Sequence, residues 1–163
     1  MIYLILFVIL GISLLTDIKY RKIFNAVTFP AIFLGLILNT ITHGWDGFQL
    51  SLFGMLTGFG LLFIPYLLGG MAAGDVKLLM AIGALKGTVF VIGSFLYIAI
   101  VGGIIALIIL IMKKELLSSL KRIFFSFQLR TLDSLSKSEL HHAFPYGVAI
   151  VLGTVLYTGV NML

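Results

Sequence analysis

The chain has no cysteine and little charge, and each absence excludes a class of protein. Without cysteine there can be no disulfide, no thiolate nucleophile and no cysteine-ligated zinc. Charged residues make up 10% of the chain, against about 25% in an average soluble domain. The three histidines have no acidic cluster beside them, so the ligand set of a transition-metal site is missing. We therefore expect neither a metal nor another cofactor.

Apolar residues dominate the chain instead. Of its 163 residues 61% are hydrophobic, and the mean hydropathy is +1.20. At about 20 residues per span, the apolar segments predict an all-α membrane protein, a polytopic bundle of about six transmembrane helices. We expect one domain over residues 1–163. The predicted segments are residues 2–15, 27–42, 48–68, 75–85, 87–112 and 144–162.

The basic residues predict the orientation of this bundle. With six alternating spans, ten of the 11 Lys and Arg residues fall on one side, and only Lys86 falls on the other. Basic residues concentrate in cytoplasmic loops, so both termini should lie outside, in a multi-pass protein of the cell inner membrane. This bias accounts for the net charge of +5. We therefore expect the lipid bilayer as a partner and no binding to nucleic acid.

The long connection over residues 113–142 is also basic, and its apolar residues have helical spacing. This pattern predicts an amphipathic helix in the headgroup plane on the cytoplasmic side. A surface helix without a specific partner is the simplest interpretation. The spaced apolar residues are Leu116, Leu120, Ile123, Phe124 and Phe127.

Two aspartates, Asp17 and Asp75, lie at the ends of apolar segments beside basic residues, and the predicted topology puts both on the cytoplasmic side. An acidic side chain at membrane depth costs about 2.5–3.5 kcal/mol and often marks a functional site. Two carboxylates that meet can share a proton, as in an aspartyl protease. Each aspartate also has a noncatalytic interpretation: Asp17 could form an ion pair with Arg21, and Asp75 could be a helix N-cap.

The helix positions of the aspartates predict which of them holds the shared proton. Asp75 precedes a helix, whose N-terminus favours an anion, whereas Asp17 lies near the C-terminus of the first helix, which disfavours one. We therefore expect Asp17 to carry the proton more often. The side chains of Lys19, Arg21 and Lys77 should point toward the headgroups, away from both carboxylates.

Three segments resemble the type IV prepilin peptidases. Residues 17–25 are similar to the element Asp-x-[KR]-x-[KR]-x-Ile-[PF]-Asn, and residues 72–78 to the element GxGD-Val-Lys-Leu. Residues 144–150 resemble the Pro-[FY]-Gly-x-Ala segment that opens the last helix of these enzymes. The three segments occur in the family's order and extend from the first predicted helix to the last.

This resemblance implies an intramembrane aspartic endopeptidase of the GxGD type. It would remove the short basic leader from type IV prepilins or pseudopilins at the cytoplasmic membrane face, with Asp17 and Asp75 as catalytic residues. The substrate helix and the pilus assembly machinery are the implied partners. The supporting motif residues are Lys19, Arg21, Asn25, Ala72, Gly74, Lys77, Pro145, Tyr146 and Gly147.

The chain departs from the family pattern at two points. Position 72 is alanine where the motif usually has glycine. The longer family members also carry a cytoplasmic N-methylating domain with paired CxxC motifs. This cysteine-free chain resembles the short, peptidase-only members of tight-adherence pilus systems, so we expect no methyltransferase domain.

Three alternatives stay open at the level of sequence. A transporter or channel subunit could use the two aspartates as ion or proton sites, although such proteins often show inverted repeats, and the sequence has no visible repeat. A noncatalytic membrane scaffold would use the two acids only as a helix cap and a topology-balancing charge. Among peptidases, the preflagellin enzymes share the aspartate motifs.

Overall fold

The computed structural model describes residues 1–112 and 146–162. Every regular element in these two ranges is an α-helix, which confirms the all-α prediction. The predicted surface helix over residues 113–142 lies outside the described residues. The helices are α1 (Ile2–Tyr20), α2 (Asn25–Leu67), α3 (Ala73–Lys86), α4 (Thr88–Met112) and α5 (Tyr146–Met162).

Helix α2 reverses direction at Gly44. Its 43 residues would form a straight rod of about 65 Å, roughly twice the hydrocarbon thickness of a bilayer. Gly44 has φ 59° and ψ −134°, a conformation that favours glycine and breaks the helix into two arms, residues 25–43 and 45–67. The arms fold back on each other, because Asn39 Nδ2 donates to Ser51 Oγ at 2.8 Å and Ser51 Oγ donates to the Gly35 carbonyl at 3.1 Å. Two predicted segments, 27–42 and 48–68, are therefore the arms of one helical hairpin.

Three of the described helices are long and apolar enough to cross a membrane, namely Ile2–Tyr20, Asn25–Leu67 and Thr88–Ile109. Helix α3 has 14 residues and α5 has 17, both shorter than the roughly 20 residues of a full span. The prediction of six spans is therefore not confirmed. That prediction counted each arm of α2, and also the short helices α3 and α5, as spans of their own.

Helix α3 is the centre of the bundle. It contacts each of the other four helices, and Leu78, Leu79 and Ile82 are fully buried within it. A helix that is apolar on all sides is expected to be enclosed by protein. The surrounding helices instead expose many large apolar side chains, such as Leu15, Phe33 and Leu96. This surface suits a hydrocarbon environment, and α3 is short because protein rather than lipid surrounds it.

Glycines allow α2 and α3 to pack closely. A Cβ atom on Gly54 would overlap the backbone of Gly83, and one on Gly83 would overlap the backbone of Gly54. A Cβ atom on Gly58 would lie 2.5 Å from the Leu79 carbonyl oxygen. The small-residue spacing of Gly54 and Gly58 therefore marks a helix contact, as in many membrane proteins.

The C-terminal end of α3 is held from two neighbouring helices. The buried Asn39 side chain donates from Nδ2 to the carbonyls of Ala84 at 3.1 Å and Leu85 at 3.2 Å, which have few partners at a helix end. Lys86 Nζ lies 3.6 Å from the centre of the Tyr3 ring in α1. These contacts fix α3 along its axis and so set the position of Asp75 at its other end.

Candidate active site

Asp17 lies in the last turn of α1 and faces α5. It is on the buried face of α1 and is 6% exposed. Its Oδ2 accepts a hydrogen bond of 3.1 Å from the Val148 backbone N–H, and the Gly147 N–H also interacts with this carboxylate. Gly147 and Val148 are the second and third residues of α5, where the helix carries its partial positive charge. Our expectation that Asp17 holds the shared proton considered only α1, and this second helix end removes its basis.

The contact between Asp17 and α5 requires glycine at position 147. A Cβ atom on Gly147 would lie 2.6 Å from Asp17 Oδ2 and 2.7 Å from Asp17 Cγ. Side-chain atoms do not approach this closely, so any other residue would displace either the carboxylate or α5. The structure thus gives a physical reason for glycine in the segment that resembles Pro-[FY]-Gly-x-Ala.

Asp75 lies at the start of α3 and is 5% exposed. Ala72 is the N-cap, so Asp75 is the third helical residue and not the N-cap itself, which corrects the N-cap interpretation given above. Its Oδ2 accepts a 3.1 Å hydrogen bond from the Ala72 backbone N–H. This is the acidic half of a capping box, which fixes the carboxyl group to the end of its own helix.

The bundle brings the two carboxyl groups together. They are close enough for the charge of Asp17 to act on Asp75, and the charge of Asp75 in turn acts on the Tyr146 hydroxyl. Tyr146 is the first residue of α5. Helices α1, α3 and α5 therefore converge at one end of the bundle, with two buried acids and a phenol between them.

The basic motif residues occupy three different environments. Lys77 Nζ donates to Asn25 Oδ1 at 2.9 Å and lies 5.1 Å from the centre of the Phe29 ring. Lys19 Nζ lies 5.3 Å from the centre of the Tyr20 ring. Arg21 closes α1 in the left-handed conformation, with φ 50°, and its charge acts on the Asp17 carboxylate. The expectation that all three side chains avoid the aspartates stays a prediction, although Arg21 follows Asp17 by one helical turn and its charge reaches that carboxylate.

The loop before Asp75 explains why alanine is accepted at position 72. Ala72 has φ −83° and ψ 150°, an extended conformation that any residue adopts. The spatial restriction is at Gly74, where a Cβ atom would lie 3.1 Å from both the Cβ and the carbonyl oxygen of Ile23. Close packing against the loop after α1 thus requires a small residue at position 74.

Sequence reasoning did not identify two parts of this arrangement. Val148 acts through its backbone N–H and Ile23 through its contact with Gly74, and neither role depends on a distinctive side chain. Pro145 of the predicted motif lies outside the described residues. Within residues 1–112 and 146–162, no three His, Asp or Glu side chains come together as metal ligands.

Comparison with known proteins identifies the family. The sequence model of the type IV leader peptidase family matches residues 4–107, and the chain belongs to this family. The match includes Asp17, Asp75 and all of α2 and α3, and it confirms the resemblance drawn from the sequence motifs. Searches of curated proteins and of solved structures each gave no match. The family and the apolar helices together define a membrane protein of a peptidase family.

Proposed function

We propose that this chain is an aspartic endopeptidase that removes the basic leader peptide from type IV prepilins or pseudopilins. The observation that carries the proposal is the convergence of two buried aspartates from separate helices, with Asp17 close enough for its charge to act on Asp75. If each acid served only to stabilise a helix end, the two acids would not need to lie in one site. Bringing both into one site places two like charges in an apolar bundle, which is unfavourable unless they share a proton.

The proposed reaction divides acid and base roles between the two carboxyl groups. The ionised group takes a proton from water as the water oxygen attacks the carbonyl carbon of the scissile peptide bond. The protonated group gives its proton to the carbonyl oxygen. Collapse of the tetrahedral intermediate breaks the C–N bond. The leaving nitrogen takes the proton that the first carboxyl group took from water, and the second carboxyl group regains its proton from a hydroxyl of the intermediate. Tyr146 lies near enough to this pair for the charge of Asp75 to act on its hydroxyl.

We further propose that the site lies at the cytoplasmic face of the cell inner membrane. Lys19, Arg21, Lys22 and Lys77 cluster at the end of the bundle that holds the two aspartates, as the positive-inside bias favours. Three of the described helices are long and apolar enough to cross a membrane, which supports a membrane location for the site. The substrate helix would reach the site from the bilayer, and the pilus assembly machinery would receive the product.

The first prediction tests the two aspartates. Asp17→Asn and Asp75→Asn should each abolish cleavage of a leader-bearing prepilin in reconstituted vesicles, because an amide can neither take nor give the shared proton. Asp46→Asn is the matched control, since Asp46 is exposed near the reversal of α2, and it should cleave normally. Cleavage is measured by mass spectrometry of the new N-terminus. Near-normal activity in either of the first two variants would refute the catalytic assignment.

The same assay distinguishes the substrate classes. A prepilin, a pseudopilin and a preflagellin offered at equal concentration should be cut in proportion to kcat/KM, and the proposal requires the pilin-type substrates to be preferred. A protein that cuts none of them, yet moves protons across the vesicle membrane, would instead support the transporter alternative.

A further inference from the structure

Two buried hydroxyl groups, on Ser13 and Thr28, have no hydrogen-bond partner among the described residues. Both residues are 0% exposed. Other buried hydroxyls, on Ser94, Thr154 and Thr158, donate to a carbonyl of their own helix at 2.7–2.8 Å. A buried hydroxyl without a partner has lost its hydrogen bonds to water and gained none in return. Ser13 and Thr28 are therefore unfavourable for the resting structure.

Ser13 lies one turn deeper in the bundle than Asp17. It precedes Asp17 by four residues on the same buried face of α1. Helix α1 runs antiparallel to α3, because Tyr3 contacts Lys86 at one end and Asp17 acts on Asp75 at the other. Ser13 is therefore level with the turn of α3 that follows Asp75.

Thr28, in the first arm of α2, lies at the same level. The first arm of α2 runs parallel to α3, since Asn25 bonds to Lys77 and Gly35 packs against Ala84. Thr28 follows Asn25 by three residues and shares the buried face of Gly35. Both hydroxyls thus lie level with the beginning of α3, just beyond the two aspartates.

We propose that Ser13 and Thr28 bind main-chain amide groups of the substrate on the side of the scissile bond that remains in the membrane. This inference rests on the proposed function. A helical substrate must unwind locally to be cut, and its freed N–H and C=O groups cost several kcal/mol each in an apolar environment. A hydroxyl can both donate and accept, so it serves either backbone group without selecting a side chain. The membrane-embedded part of the substrate lies deeper than the cut, where these hydroxyls are.

The structure also suggests where the substrate enters. An apolar groove runs between α1 and the first arm of α2, and its lining includes Ile12, Ala26 and Val27. The lining also includes Ile9, one turn before Ser13, and Ala31, one turn after Thr28, so the groove lies beside both hydroxyls. They are closed off in the resting bundle, and the substrate helix would reach them by separating α1 from this arm.

Four variants and one rescue test the inference. Ser13→Ala and Thr28→Val should each lower kcat/KM for prepilin cleavage by at least about tenfold, because each removes a hydrogen bond to the substrate. Their melting temperatures in detergent should stay unchanged or rise, since no internal hydrogen bond is lost. Thr28→Ser keeps the hydroxyl and should restore most of the activity. The matched controls Ser94→Ala and Thr154→Val remove hydroxyls that are internally bonded, and they should lower the melting temperature while the folded protein cleaves normally.

The two pairs of variants should differ in opposite ways. Ser13→Ala and Thr28→Val should lose activity without losing stability, whereas the controls should lose stability without losing activity. Wild-type cleavage rates in both Ser13→Ala and Thr28→Val would overturn the inference. A parallel loss of melting temperature and activity, as expected for a packing role, would overturn it as well. An inactive wild-type protein would overturn the proposed function and this inference with it, whereas an active wild type with active variants would overturn the inference alone.

Discussion

At the scale of single residues, the candidate site depends on positions where a side chain is missing. Gly147 allows Asp17 to reach the backbone of α5, and Gly74 allows α3 to begin beside Ile23. Each glycine lets a helix end pack closely against another segment. Gly147 contacts Asp17, and Gly74 precedes Asp75 in the chain. The effect of a substitution here therefore depends on the added atoms and not on their polarity.

The second prediction concerns Gly147. Gly147→Ala should reduce cleavage by about a hundredfold or more, because the added Cβ atom displaces Asp17 and such small misplacements have effects of that size. Gly159→Ala is the matched control in the same helix, where no neighbouring atom lies within 4 Å, and its activity should be normal. Initial rates measured on equal amounts of folded protein decide the outcome. Equal rates for the two variants would show that Asp17 does not need this contact.

The third prediction compares two neighbouring positions before Asp75. Ala72→Gly should leave activity within a few fold, because the extended conformation of Ala72 makes no demand for glycine. Gly74→Val should severely impair activity, because its branched side chain would overlap Ile23. Cleavage assays on both variants provide the measurement. Full activity in Gly74→Val would contradict the packing described for this loop.

Sequence alone identified the residues whose chemistry is unusual for their surroundings. Asp17 and Asp75 are recognisable because carboxylates are rare in apolar segments. Val148 is not recognisable, because its contribution is a backbone N–H that any residue except proline could offer. The left-handed conformation of Arg21 is not recognisable either, because the turn at the end of α1, and with it the direction of the chain, is not evident from residue types.

At the scale of helices, the contact between α2 and α3 determines where Asp75 lies. The two helices approach through Gly54 and Gly83, whose backbones are in direct contact. The apolar segments predicted the approximate limits of α3 and α4, since hydrophobic runs follow helices closely. The segments 27–42 and 48–68 also predicted the two arms of α2, but not the position of the reversal, because residue types alone do not reveal that Gly44 has φ 59°.

The fourth prediction tests this contact. Gly83→Val should destabilise the bundle by about 1–3 kcal/mol, as overpacking of a close interface does. Gly60→Val places the same side chain on the second arm of α2, where nothing lies within 4 Å, and should have little effect on stability. Thermal unfolding in detergent, followed by circular dichroism, measures the difference. Equal melting temperatures for the two variants would show that the close contact between α2 and α3 does not contribute to stability.

At the scale of the whole molecule, the bundle encloses an apolar core with a few buried polar groups, and its outer surface is apolar as well. The enclosed α3 carries one aspartate, while the outer helices present apolar side chains to the surroundings. Composition predicted this arrangement, because so few charged residues cannot cover a soluble surface. It did not predict that α3 would be enclosed by protein, since helix burial depends on packing between distant segments.

The fifth prediction concerns orientation. In this cysteine-free chain, Asp46→Cys near the reversal of α2 should react with an impermeant thiol reagent added outside the cell, because few basic residues lie at that end. Lys22→Cys, exposed at the opposite end, should react only after the membrane is opened. Mass-shift gels report the labelling. The reverse pattern would place both aspartates on the wrong face for leader removal.

The hydrogen bond from Val148 to Asp17 also has a consequence for the timing of synthesis. Asp17 and Asp75 leave the ribosome with the first half of the chain, whereas α5 is made last among the described helices. A nascent chain would hold both carboxyl groups before the backbone that orients Asp17 exists. The enzyme would thus acquire its activity late in its own biogenesis, when α5 joins helices that are already inserted.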